Sequence, residues 1–157
     1  MNKTSLLLTR AFWIFLLAVS FASCKKDNNN NTNNNLYTVS GSASGANEVP
    51  AVTTSGSGTL TGSYDASTKV LQYNVSWTNL SGTATAAHFH GPAPAGQNAT
   101  VVVPFTLVNN GNAGTASGST TLTAAQETDL LAGNWYFNVH TAAHPGGEIR
   151  GQVSATH

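Results

Sequence analysis

A chain of 157 residues has room for one domain. Charged residues make up only 8% of it and formally cancel, so no basic surface exists to neutralise a phosphate backbone, and nucleic acid is excluded as a partner. The single cysteine rules out a disulfide framework within the chain.

Not all of the chain reads as folded. Met1 to Ser23 has the layout of an export signal. Lys3 and Arg10 supply the positive start, and Ala11 to Val19 form an apolar core too short to span a bilayer comfortably. The segment ends in Phe21-Ala22-Ser23-Cys24, which resembles a bacterial lipobox, with Phe where Leu is commoner. On that resemblance residues 1–23 are a lipoprotein signal peptide, and Cys24 is the lipidated new N-terminus that anchors the protein to a membrane. Residues 24–35 then form a tether. Lys25-Lys26-Asp27 leads into an Asn-rich run with no apolar surface to bury, so this stretch is expected to be disordered. Such a start is similar to lipoproteins of Gram-negative bacteria, which implies the cell envelope, at the outer membrane or the cell surface.

The folded part is Leu36 to His157. It carries Lys69 and Arg150 against Glu48, Asp65, Glu127, Asp129 and Glu148, a formal charge of −3. Low charge with abundant Thr, Ser, Gly and Val suits a secreted β-protein.

In chain order, Tyr37 to Ser40 alternates and opens the sheet, and Gly41 to Val52 is turn-rich. Gly58 to Tyr64 alternates again, with Leu60 and Tyr64 on one side, and Asp65 to Lys69 is a polar hairpin connection. Val70 to Thr78 is the clearest strand. Leu71, Tyr73, Val75 and Trp77 point one way and polar residues the other, as a half-buried antiparallel strand requires. Thr85 to His90 is the next strand, ended by Gly91-Pro92. Val101 to Val108 follows, with Val101, Val103, Phe105 and Leu107 on one face. Asn109 to Gly118 is turn-rich, and Ser119 to Leu122 is a short strand. Thr123 and Gln126 have capping-box spacing, so Ala124 to Leu131 is expected to be helical, stopped at Gly133. Trp135 to Thr141 and Glu148 to Ser154 are the last strands. The fold class is therefore all-β and antiparallel, a sandwich or Greek-key barrel with one short helix.

Alternation also assigns faces. Ala87 and Phe89, then Trp135, Phe137 and Val139, then Ile149 and Val153 are the apolar sets, so they face the core. His88 and His90, then Tyr136, Asn138 and His140, then Glu148, Arg150 and Gln152 face away. If these strands are neighbours, about 4.8 Å apart, their polar residues form one outer-face cluster. Trp135–Thr141 and Glu148–Ser154 are joined by a short loop and form a hairpin; the neighbour of Thr85–His90 is not fixed by the sequence.

Imidazole is a ligand for copper, zinc and nickel, and two histidines one residue apart on a strand offer two nitrogens on one face. His140 would be a third ligand and His144, in the following loop, a fourth. Arg150 would add an anion-attracting charge beside them. The opposing reading is structural: an H-x-H pair alone is a weak signal, and such histidines also lock hairpins together by hydrogen bonds to Glu148 or to backbone carbonyls. Glu148 and Arg150, two apart on one face, could equally form an internal ion pair. Other chemistries find no support. No G-x-S-x-G, phosphate-binding loop or paired-carboxylate arrangement is present, and a lipidated Cys24 leaves no thiol nucleophile.

The blocks S-G-A-N-E-V-P-A-V, A-A-H-F-H-G-P-A, L-T-A-A-Q and Y-F-N-V-H-T-A-A-H-P-G-G-E-I-R-G-Q resemble the signature of the CHRD (chordin-type) domain family, in order from about Tyr37 to Val153. Phe89 stands where the family has an aliphatic residue, and Phe137 where it often has Val; both are inward positions. His144 is less typical of the family than His88, His90 and His140. The resemblance implies an immunoglobulin-like β-barrel, and favours a binding or structural module over an enzyme. A looser likeness is to the copper/zinc superoxide dismutases, which also carry H-x-H on a strand, a later V-H and a later Arg near the metal. His88, His90, His140 and Arg150 follow that order. The zinc-binding loop is missing, since between His90 and His140 there is no further histidine and the only acids are Glu127 and Asp129. On that likeness a copper-only site remains and a two-metal site does not.

Overall fold

The computed structural model describes Asn35–His157. The signal segment, Cys24 and the Asn-rich run as far as Asn34 lie outside the described residues.

The described residues build an antiparallel β-structure with one α-helix. Its strands are β1 (Leu36–Ser44), β2 (Ser57–Asp65), β3 (Val70–Thr78), β4 (Ala84–His90), β5 (Val101–Pro104), β6 (Leu107–Asn110), β7 (Gly114–Thr121), β8 (Tyr136–Thr141), β9 (Ile149–Gln152) and β10 (Ser154–Thr156). They join in the order β5-β4-β8-β9-β1-β2-β3-β7-β6, with β10 also paired to β1. Helix α1 (Ala124–Leu131) follows the Thr123 cap. Thr123 Oγ1 accepts from Gln126 N at 3.3 Å, and Gln126 Oε1 accepts from Thr123 N at 2.9 Å, so the expected capping box is complete.

Two differences from the sequence reading have clear causes. The opening strand runs on to Ser44, because Ser40 to Ser44 finds full pairing partners on β2 despite its turn-forming composition. The expected strand from Val101 to Val108 is two strands. Pro104 lacks an N–H and ends β5; Phe105, whose N–H reaches Ala87 O at 2.9 Å, and Thr106 link it to β6. β5 and β6 are the two ends of the sheet order, yet Phe105 and Thr106 alone separate them. The sheet therefore curls into a half-barrel, and aromatic rings fill its inside.

Phe89 lies at the middle of that filling, fully buried. Its ring meets Phe105 edge-on at 4.6 Å and Tyr73 edge-on at 5.1 Å, with Trp135 at 5.6 Å. Such tilted and edge-to-face pairs add to the burial energy of each ring. Trp77, Phe137, Val139, Leu71 and Ile149 complete the core, all on the side that alternation assigned to it. Gly91 follows β4 because the Trp135 indole occupies the space of a side chain there.

The register places β4, β8 and β9 side by side. His90 is opposite Tyr136, His88 opposite Asn138, and Ala86 opposite His140; Tyr136 is opposite Gln152, and Asn138 opposite Arg150. Asn138 thus sits on the middle strand, flanked by both H-x-H histidines, His140 and Arg150. Phe89→Ala should cost about 3–5 kcal/mol of unfolding free energy in denaturant titration. A loss below about 1 kcal/mol would show that the ring cluster is not the centre of the core.

Candidate metal centre

The face that points away from the aromatic core is not a free surface. Every residue of β8 is buried, and so are His90 and Arg150. Alternation gave the direction of these side chains correctly but could not show what lies over them. Three loops do. Residues 91–100 cross the face, residues 142–148 cover one end, and the turn at Glu48 and Val49 closes in from β1.

The loops are held by the polar side chains beneath them. Gln152 Nε2 donates to Ala93 O at 3.0 Å and to Gly133 O at 2.8 Å. Arg150 donates to Asn98 Oδ1 at 3.0 Å and to Gln97 O, and Asn98 Nδ2 donates to Val49 O at 2.9 Å. The Arg150 guanidinium lies 3.4 Å above the Tyr136 ring, and that ring is stacked on His90 with centroids 4.7 Å apart and an interplanar angle of 2°. Arg150 therefore braces the loop and one histidine, and its charge also acts on the Glu48 carboxyl.

His88, His90 and His140 come together. One ring nitrogen from each lies within 4.8 Å of the others. His88 Nδ1 is 3.2 Å from His140 Nε2. Metal–nitrogen bonds of 2.0–2.1 Å place two ligand nitrogens about 3.4 Å apart across a tetrahedral edge, a spacing that His88 and His140 already approach.

The second nitrogens decide which lone pairs face inward. His90 Nδ1 is 3.0 Å from Ala99 O, and His140 Nδ1 is 2.9 Å from Pro145 O. A carbonyl oxygen only accepts, so both Nδ1 atoms carry protons and donate. Their Nε2 atoms are then lone-pair donors for a cation, and both point at Asn138, 3.0 and 2.9 Å from its Oδ1; His140 Nε2 also accepts from His88 Nδ1–H at 3.2 Å, so a cation there moves the His88 proton to its own Nε2. An N–H given to a backbone carbonyl is the usual second contact of a metal-ligating histidine. Burial lowers the pKa of all three rings. For His88 burial is the largest cause, followed by His140 and His90, and its pKa falls to about 4. For His90 and His140 burial again leads, against the hydrogen bonds to Ala99 and Pro145. The three are neutral at pH 7, as metal ligands must be.

Two residues expected on this face stand apart from it. His144 lies outside the cluster: its backbone forms the turn, with His144 N donating to Thr141 O at 3.1 Å and His144 O accepting from Gly147 N at 3.1 Å. Glu148 precedes β9 and its carboxylate turns to another group. Thr54 Oγ1 and Ser81 N donate to it at 2.7 Å each, Ser81 Oγ at 2.6 Å, and Thr141 Oγ1 at 2.7 Å. Among the described residues it pairs with neither Arg150 nor a histidine.

The sequence reading allowed hydrogen bonds from these histidines to backbone carbonyls but could not name Ala99 and Pro145, which carry no side-chain signal. It had Glu48 in the charge count and in a family block, with no place at the site. Glu48 is buried, and its Oε1 has no hydrogen-bond partner among the described residues. Burial, the largest influence, raises its pKa against the pull of Arg150 and the Asn138 amide. The trace in the sequence was Gly146-Gly147. At Gly147 φ is 124°, and a Cβ would overlap Glu48 Oε1 and Asn138 Nδ2.

Burial raises the pKa of Glu148, but its hydrogen bonds outweigh that and bring it from 4.5 to about 2. The folded value is the lower one, so the unfolded chain takes up this proton first. The stabilisation is complete above about pH 4.5 and is lost as pH falls toward 2. Glu148→Gln should lower stability at pH 7 and flatten this part of the acid-unfolding curve. An acid limb identical to the parent's would contradict the account of Glu148.

No curated protein and no solved structure shows significant similarity to the chain. The profile of the CHRD domain matches residues 39–153, which span β1 to the residue after β9 and include all three clustered histidines. The chain belongs to the CHRD domain family.

Proposed function

We propose that this domain is a non-enzymatic, envelope-tethered binding module, and that its ligand is a single transition-metal ion held by His88 Nδ1, His90 Nε2 and His140 Nε2. The observation that carries this reading is the pair of Nδ1–H donations to Ala99 O and Pro145 O. Histidines that served only to fasten these two loops would need no more than those bonds. Here one nitrogen of each ring also converges to within 4.8 Å of the others, with His90 and His140 buried and His88 half-buried. Three imidazoles suit copper or zinc, and the general affinity order of divalent ions places copper first. In the purified protein we expect one equivalent of copper per chain at neutral pH, by elemental analysis and titration. His88→Ala and His140→Ala should each weaken it tenfold or more. No stoichiometric metal, or unchanged binding in both variants, would remove the metal reading.

The tether belongs to the same proposal. The lipobox-like Phe21-Ala22-Ser23-Cys24 and the Asn-rich run favour a lipid anchor that holds the domain at the envelope of a Gram-negative cell. We expect Cys24→Ser to move the protein out of the membrane fraction. A variant that still fractionates with membranes would refute the anchor.

A further inference from the structure

The three-histidine reading leaves two features unexplained. One is an oxygen where a proton donor belongs. Asn138 Oδ1 lies 3.0 Å from His90 Nε2 and 2.9 Å from His140 Nε2, and both nitrogens present lone pairs. A carbonyl oxygen and two lone pairs at that separation repel unless positive charge lies between them. The other is the buried carboxylate of Glu48, with Oε1 unpartnered among the described residues. A buried carboxyl is costly, and Arg150, the Val49 N–H and the Asn138 amide offset that cost only in part, since burial remains the largest influence.

The two features explain each other. The Asn138 amide has its nitrogen turned toward Glu48, and Nδ2 and Oε1 close on the same side of the Gly147 Cα. Turning the amide end for end would give the histidines two N–H donors. It would also aim the amide oxygen at the Glu48 carboxylate. Glu48 therefore holds Oδ1 toward the imidazoles, and its negative charge, passed through the amide, adds to the electron density on that oxygen. The separations fit as well. Edges of 2.9 to 3.2 Å link His88 Nδ1, His140 Nε2, Asn138 Oδ1 and His90 Nε2 in sequence, close to the ligand–ligand spacing of a four-coordinate ion.

Resting on the three-histidine reading, we propose that Asn138 Oδ1 is the fourth ligand of the metal ion, and that Glu48 is the positioning residue that orients it and balances the ion's charge. The ligand set is then three nitrogens and one amide oxygen, all neutral, with a single buried anion behind them. Its fourth position is filled by the protein rather than left for substrate, which distinguishes a site that holds metal from one that turns over. Gly147 is required because any side chain there would separate Glu48 from the amide.

The test uses the copper(II) form of the full chain. Pulsed electron paramagnetic resonance in D2O reports water bound in the plane of the copper. The parent protein should show none, and Asn138→Ala should gain one such water with its histidine nitrogen signals retained. Glu48→Gln, which keeps the shape and removes the charge, should weaken copper tenfold or more, the usual effect of losing a group that supports a ligand, and should alter the copper hyperfine splitting. Failure of the parent to bind copper would remove the three-histidine reading and this one together. Copper bound by the parent with an in-plane water, or a parent and Asn138→Ala with the same spectrum, would overturn the fourth ligand alone. Unchanged affinity in Glu48→Gln would overturn the role of Glu48, and it remains decisive if Asn138→Ala does not fold.

Discussion

Two backbone carbonyls set the character of this protein. Ala99 O and Pro145 O each take the Nδ1 proton of a buried imidazole, and that fixes which nitrogen of His90 and His140 faces the interior of the site. An imidazole left to itself exchanges its proton between two nitrogens; one pinned by an acceptor does not. Both carbonyls belong to loops, and both loops are in turn fastened to the sheet by Arg150, Gln152 and the backbone of β8. The polarity of the site thus rests on where the loops lie, and the loops lie where the sheet's outward side chains hold them.

The frame beneath rests on one short connection. Pro104 ends β5, Phe105 carries the chain across to β6, and the two ends of the sheet are brought together. Phe105 then meets Phe89 and Tyr73 inside the curl. Phe89 lies between His88 and His90 in sequence, so its burial turns both histidines to the opposite side. Packing of one ring and presentation of two histidines are the same event, and they depend on the two-residue period of the strand.

That period is why much of the site is legible in the residues alone. The inward set Ala87, Phe89, Trp135, Phe137, Val139, Ile149 and Val153 is buried as expected, and β4 proves to be the neighbour of β8, which brings His88, His90 and His140 together. The Thr123–Gln126 cap is legible because it is a local pattern. What is not legible depends on loops. Period-two reasoning treats the far side of a sheet as solvent, so it could not foresee that Tyr136, Asn138 and Arg150 are covered. It placed Glu148 with the histidines, whereas Gly147, in a conformation that favours glycine, turns the chain just before it. His144, read as a fourth ligand, lies outside the group formed by His88, His90 and His140. Glu48 lies far away in sequence, in the block S-G-A-N-E-V-P-A-V, and alternation along the strands does not connect it to the histidines.

Membership of the CHRD domain family favours a binding module over an enzyme, and the site's chemistry is consistent with holding an ion rather than transforming a substrate. The central claim is that the two carbonyls leave imidazole lone pairs aimed at one point. Long-range proton–nitrogen correlation spectra of the histidine rings at pH 7 test it most directly. The account requires His90 and His140 to be neutral and protonated at Nδ1, with both Nε2 signals moving when one equivalent of zinc is added. Rings protonated at Nε2, or charged imidazolium rings at that pH, would contradict it.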